Sequence, residues 1–248
     1  PIIGHYQASY RHPDRDKEHG RIWRVSWQGG PKVAPARLAD AGVPDLLEQL
    51  DSKERWAWYQ AKRVLIERDT RQVVEALDAW LPKQQGNDYR RLLALSLYEA
   101  HETPRPALLA GLLGSSDARI RAYAMRVVGT WARDAQLPDA LKLLETGIAD
   151  ADALVRLEAI VAASYANDPR AAIIATRALD KEFNAYHRHA LTKTLNATQP
   201  LWAPEIIKGT LAFDQDDHLI FALQNGWVEN NVSDLLAREF ADDQRPNA

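Results

Sequence analysis

Apolar residues recur along most of this chain three and four positions apart, the period of an amphipathic helix, and short polar turns break the runs. One small residue marks the phase. Ala61, Ala94, Ala124, Ala159, Ala190 and Ala222 stand 33, 30, 35, 31 and 32 residues apart. Each lies in an apolar run just after a polar turn, as between Asp117 and Ala124 and between Asp152 and Ala159. A period of that length holds two short helices and two turns, which predicts an all-α fold, an α-solenoid of stacked helical hairpins. Alanine suits the phase because the two helices of a repeat must approach closely there, and a larger side chain would wedge the layers apart.

The expected helices follow. Pro44 opens the first, where its missing N–H costs nothing, and Leu46, Leu47 and Leu50 share one face. A second covers 53–68, with Trp56, Tyr59, Ala61, Val64 and Leu65 at apolar positions. Pairs are expected at 70–83 with 88–101, 104–114 with 117–134, 137–148 with 152–166, 169–181 with 184–196, and 203–213 with 216–225. A last helix is expected at 231–240. Thr103-Pro104 and Asp168-Pro169 each put a capping oxygen before a first-turn proline, and Ser116-Asp117 caps the helix that follows.

The first thirty residues break the pattern. Trp23, Val25 and Trp27 alternate with polar neighbours, which predicts a strand over 21–28 stopped by Gly29-Gly30-Pro31. A lone strand leaves its edges unpaired, so it must pair with a partner or be the last strand of a domain lying elsewhere. The expected organisation is an extension over 1–32, a linker over 33–43, the solenoid over 44–240 and a disordered tail over 241–248.

Composition narrows the chemistry. Zero cysteines among 248 residues exclude disulfides, thiol nucleophiles, zinc–cysteine sites and c-type haem attachment within them. A net charge of −3 argues against a general nucleic-acid binder. No apolar run approaches the ~18 residues a spanning helix needs. The chain opens Pro-Ile-Ile-Gly with Met125 its single methionine, so it is expected to be a piece of something longer. Residues 214–248 hold eight acids against two bases, a solvated end.

The turn Asp followed by Ile120-Arg121 and Ala124, and again by Val155-Arg156 and Ala159, resembles the HEAT repeats, in the variant also found in phycobilisome-lyase-like proteins. Asp88, Arg91 and Ala94 match in part, as do Tyr186 and Ala190. The resemblance implies that Arg121 and Arg156 tie neighbouring repeats together. A second run, from Ile2-Ile3-Gly4-His5 through Arg11-His12-Pro13-Asp14-Arg15-Asp16 to His19-Gly20-Arg21-Ile22-Trp23-Arg24, is similar to the end of the β-propeller in membrane-bound dehydrogenase-like proteins of planctomycetes and verrucomicrobia. In that family the propeller is followed by HEAT repeats and a c-type cytochrome domain. The resemblance implies that residues 1–32 are a propeller remnant, that the location is periplasmic or otherwise extracytoplasmic, and that any c-type haem belongs to the parent; no cofactor is expected in these residues.

The candidate binding residues are Arg55, Trp56, Trp58, Tyr59, Arg63 and Arg91, a basic and aromatic set that could stack on a sugar, base or tetrapyrrole or cap the first repeat against a preceding domain. No catalytic set is found: there is no nucleophile elbow, phosphate loop or paired carboxylates. His5, His12 and His19 beside Asp14 and Asp16 have metal-binding side chains, but a structural role in the turns is the simpler reading and no metal site is expected. In His187-Arg188-His189, Tyr186 and Ala190 are expected to face inward. The acids around Asp214, Asp216 and Asp217 read as a helix N-cap. The leading expectation is a non-catalytic protein-interaction scaffold whose partner is a protein or a neighbouring domain of the same parent. A bilin-lyase-like enzyme would instead need a deep pocket near Trp56 and Tyr59. A HEAT-like DNA glycosylase would need a basic stripe from Arg63, Arg90, Arg91, Arg121 and Arg126.

Overall fold

The computed structural model describes residues 18–20, 22–23, 25–30, 36, 38–133 and 136–226. Two compact units divide the chain, residues 1–36 and 37–248. The helix expected over 231–240, the tail over 241–248 and the group His5, His12, Asp14 and Asp16 lie outside the described residues.

In the first unit no described residue is in a strand. Ile22, Trp23, Val25 and Trp27 are all exposed, and the segment ends in a turn closed by the Gly30 N–H on the Trp27 carbonyl at 3.2 Å. The strand expected over 21–28 is therefore corrected. Alternation makes a strand only when a neighbour takes up its backbone N–H and C=O groups, and none does so among the described residues.

The described part of the second unit holds eleven α-helices. They are α1 (Val43–Gln49), α2 (Arg55–Glu67), α3 (Thr70–Trp80), α4 (Asp88–Ala100), α5 (Pro106–Leu113), α6 (Ala118–Arg133), α7 (Ala140–Ala149), α8 (Ala153–Ala163), α9 (Arg170–Thr176), α10 (Ala185–Lys208) and α11 (Asp216–Gly226). Single turns of 3-10 helix, Leu81–Gln84 and Arg177–Asp180, extend α3 and α9. The second helices of the hairpins, α2, α4, α6, α8 and α10, pack side by side in that order, and α11 closes the row against α10. The first helices α1, α5, α7 and α9 lie against this row and α3 reaches it through its 3-10 turn, with α1 touching α3 and α7 touching α9.

The six marker alanines all fall in that row. Ala61, Ala94, Ala124, Ala159 and Ala222 are fully buried and Ala190 is 9% exposed. One close approach is between α6 and α8, where a Cβ added to Gly129 would lie 2.9 Å from the Ala162 Cα. Gly147 on α7 likewise makes room for the Met125 side chain and for Ala159. Trp80, Trp131 and Trp202 are core residues, as expected.

Four local expectations are corrected. On α2 the buried positions are Ala57, Ala61 and Leu65, and this spacing of four turns Trp56 and Tyr59 outward. Residues 184–196 and 203–213 are not separate helices: α10 runs through Pro200 and Pro204 to Lys208. A proline inside a helix costs about 3 kcal/mol. Against that cost, Trp202 is fully buried and donates its Nε1–H to the Leu195 carbonyl at 3.0 Å, while Leu191, Leu195 and Ala203 continue the buried side. The helix stops instead at Gly209, whose φ of 73° is left-handed, with the Thr210 N–H returning to the Glu205 carbonyl. At the start of α10, Asn184 forms a capping box with His187. That turns His187 inward and leaves Tyr186 exposed, against expectation, while Ala190 faces inward as expected. Finally, α5 begins at Pro106 with no side-chain cap, and Thr103 instead bonds the Tyr98 carbonyl.

Candidate functional site

Three residues before Ala124, Ala159 and Ala190 stands a side chain that works on the joint between repeats. Arg121 on α6 forks onto Asp150, with Nε–Oδ2 at 2.8 Å and Nη2–Oδ1 at 2.9 Å, and also donates to the Ser115 carbonyl. These bonds hold the Asp150 carboxyl below its ordinary value. Arg156 on α8 is buried and donates to the carbonyls of Asp150, Ala151 and, across the joint, Glu182. His187 on α10 holds the same phase and meets the Ala153 carbonyl through Nε2 at 2.8 Å. Arg121 and Arg156 are thus inter-repeat ties, as the sequence implied.

The first repeat departs from this. At the same phase α2 carries Trp58, whose Nε1 is buried without a hydrogen-bond partner. One residue after the alanine the contrast is sharper. Leu95, Met125, Ile160 and Leu191 are all 0% exposed, whereas α2 has Lys62, only half-buried. A lysine cannot seal that joint, because its ammonium must stay near water or a counter-charge. Along the same helix lies a groove of about 440 Å³ lined by Trp58, Tyr59, Lys62, Arg63, Ile66 and Glu67.

Burial lowers the Lys62 pKa from its ordinary value; Glu99 raises it again and Arg126 lowers it further. Glu99 on α4 is already occupied. It accepts from the Tyr123 hydroxyl at 3.0 Å and from Thr130 at 3.2 Å, and Arg126 stands 3.8 Å away. Tyr123 is pushed up to about 12, first by burial and then by the Glu99 charge. Glu158 on α8 is raised by burial and pulled back by Arg126. Successive second helices therefore offer alternating charges, from Lys62 through Glu99 and Arg126 to Glu158.

Of the six candidate residues, Trp58, Tyr59 and Arg63 line this groove. Arg55 and Trp56 sit on the same helix, exposed and outside the lining. Arg91 lies elsewhere: it pairs with Asp88 at 2.9 Å and packs over Gly111 on α5. Lys62, Ile66 and Glu67 were missed, although a lysine in register with Leu95, Met125, Ile160 and Leu191 was the signal that could have found them.

The groove at Tyr59 is lined by one helix. The five arginines of the supposed basic stripe each face a carboxylate: Arg63 Glu67 at 3.6 Å, Arg90 Asp51 at 3.0 Å, Arg91 Asp88 at 2.9 Å, Arg121 Asp150 at 2.8 Å, and Arg126 Glu99 at 3.8 Å. Asp214 accepts from Arg177 at 2.6 Å, and Gln215, not Asp214, precedes α11 and takes its first backbone bonds. No cluster of metal-ligating side chains occurs among the described residues.

Residues 105–196 match the HEAT repeats. The match spans α5 to the first half of α10 and supports a HEAT-repeat domain there, which includes the Arg121 and Arg156 ties. No curated protein and no solved structure matches the chain. The α2 groove lies outside the matched HEAT segment, where the repeat pattern is modified.

Proposed function

We propose that this chain is a non-catalytic scaffold that holds a protein or a neighbouring domain at its first repeat, as the HEAT module of a larger extracytoplasmic redox protein. HEAT repeats suggest a helical protein-interaction scaffold in general. The observation that carries the reading here is Lys62, placed where the next four repeats bury an aliphatic side chain. Terminal repeats of a solenoid usually present a polar outer surface. This one presents Trp56, Tyr59 and Ile66, each 40% exposed or more, interleaved with Arg55, Lys62 and Arg63. Exposed rings among cations are the composition of an interface.

The redox parentage is supported by the run from Ile2 to Arg24 and its likeness to the propeller end of the membrane-bound dehydrogenase-like family. In that setting a c-type haem would belong to another domain of the parent. The test has two steps. The coding sequence on either side is expected to encode a propeller before Pro1 and a Cys-x-x-Cys-His site after Ala248. The flanking domains, expressed separately, are then expected to bind this chain by calorimetry and to lose affinity with Tyr59→Ala. Flanking sequence with neither feature sinks the redox parentage; flanking domains that bind the Tyr59→Ala variant equally well sink the role of the first repeat.

A further inference from the structure

Resting on the scaffold reading, we infer that the α2 groove takes an acidic segment of a partner protein, with an aliphatic or aromatic anchor between Trp58, Tyr59 and Ile66 and a carboxylate beside Lys62. The apolar half follows from the lining. Tyr59 is 51% and Ile66 40% exposed on the same helix, with the Trp58 ring beside them. These rings form a site for one anchoring side chain, the kind of contact that dominates interface energies.

The acidic half follows from charge complementarity. The groove holds two cations, Lys62 and Arg63, and one anion, Glu67, which already faces Arg63 at 3.6 Å. The counter-charge that acts on Lys62 is Glu99, and Glu99 is shared among Tyr123, Thr130 and Arg126. A carboxylate brought by the partner would meet an under-neutralised, half-desolvated ammonium, where an ion pair gains more than at an open surface. A basic segment would be repelled by the same group.

The test uses the full chain and a pooled set of short synthetic peptides, each with one Leu, Phe or Trp anchor among Asp and Glu residues. Matched peptides carrying Lys for the acids, and a single-stranded oligothymidylate, serve as alternatives, and binding is read by fluorescence anisotropy. The acidic pool is expected to bind in a salt-sensitive way, to weaken about tenfold or more with Lys62→Glu, and to weaken with Tyr59→Ala. Lys62→Gln, which keeps the size of the side chain, is expected to fall between. Equal binding of the basic peptides, preference for the oligonucleotide, or acidic binding that ignores both Lys62→Glu and Tyr59→Ala would overturn the inference. Acidic peptides that do not bind while the flanking domains do would remove this partner chemistry and leave the scaffold; failure of both would remove the scaffold as well.

Discussion

The joint between α6 and α8 and the joint between α2 and α4 are built on the same marker alanine and have opposite characters. At α6–α8 the backbone comes so close that Gly129 has no room for a Cβ beyond Ala162, and Met125 and Ile160 beside the alanines are fully buried. This joint is pinned by Arg121 on Asp150, and the following one, between α8 and α10, by Arg156 on the Glu182 carbonyl. At α2–α4 the tying arginine is replaced by Trp58 and the sealing aliphatic by Lys62, and a groove lies along the helix. The alanine specifies that two helices stack; the residues at its flanks decide whether the joint is sealed or left available. Four substitutions break or sharpen that contrast.

The largest effect is expected at Arg156. Its guanidinium is 3% exposed and supplies the carbonyls of Asp150, Ala151 and Glu182. Arg156→Met keeps much of the volume and strands those part-buried acceptors, of which Ala151 and Glu182 belong to exposed residues that water can reach. Each therefore costs less than a fully buried group, for which the loss is about 1–3 kcal/mol. The Nε–H already lacks a partner, so its removal gives a little back. A net loss of about 2–4 kcal/mol is expected, read as a lower urea midpoint at unchanged slope. A loss confined to a few tenths would mean that the sealed joint is held by packing alone.

Next comes a pair of glycines that differ only in what stands beside them. Gly129→Ala pushes a methyl against the backbone of Ala162, which cannot yield without parting α6 from α8, an overpacking cost of about 1–3 kcal/mol. Alanine's better helix propensity returns about 1 kcal/mol. Gly111→Ala meets only the end of the Arg91 side chain, which can swing aside, so propensity decides and the variant should be neutral or slightly more stable. Thermal unfolding of the two variants side by side checks this. Equal melting temperatures would show that the α6–α8 contact is looser than its geometry.

These sites also show what was legible before the structure was seen. The alanine period, the buried Trp131 and the Arg121 and Arg156 ties could be read directly, because a repeat states the same physical requirement several times and errors cancel across copies. Features that occur once were harder. The 21–28 segment has a strand's alternation, but pairing depends on a neighbour that alternation does not supply. The run through Pro200 and Pro204 depends on Trp202 being buried, which no local propensity reports. At the candidate site, the aromatics of α2 were found by composition, but Trp56 and Tyr59 were set among the apolar positions of the helix, whereas Ala57, Ala61 and Leu65 set the buried phase. Lys62 stood in the register all along and became informative only once its four counterparts proved to be fully buried.

The smallest effect is expected at that lysine, and its sign is the informative part. Lys62→Leu gives α2 the kind of side chain that Leu95, Met125, Ile160 and Leu191 provide in the following repeats. Full burial of a leucine is worth about 1.5–3 kcal/mol; at a half-buried position a gain of about 1 kcal/mol is expected, helped by the removal of the desolvation that now lowers the Lys62 pKa. Set against it is the loss of the attraction to Glu99, which keeps Tyr123, Thr130 and Arg126. A higher urea midpoint together with loss of acidic-peptide binding would mean that the first joint forgoes stability to keep a cation available. A lower midpoint would mean that Lys62 holds α2 to α4 through Glu99, and the open joint would then be a differently built seal.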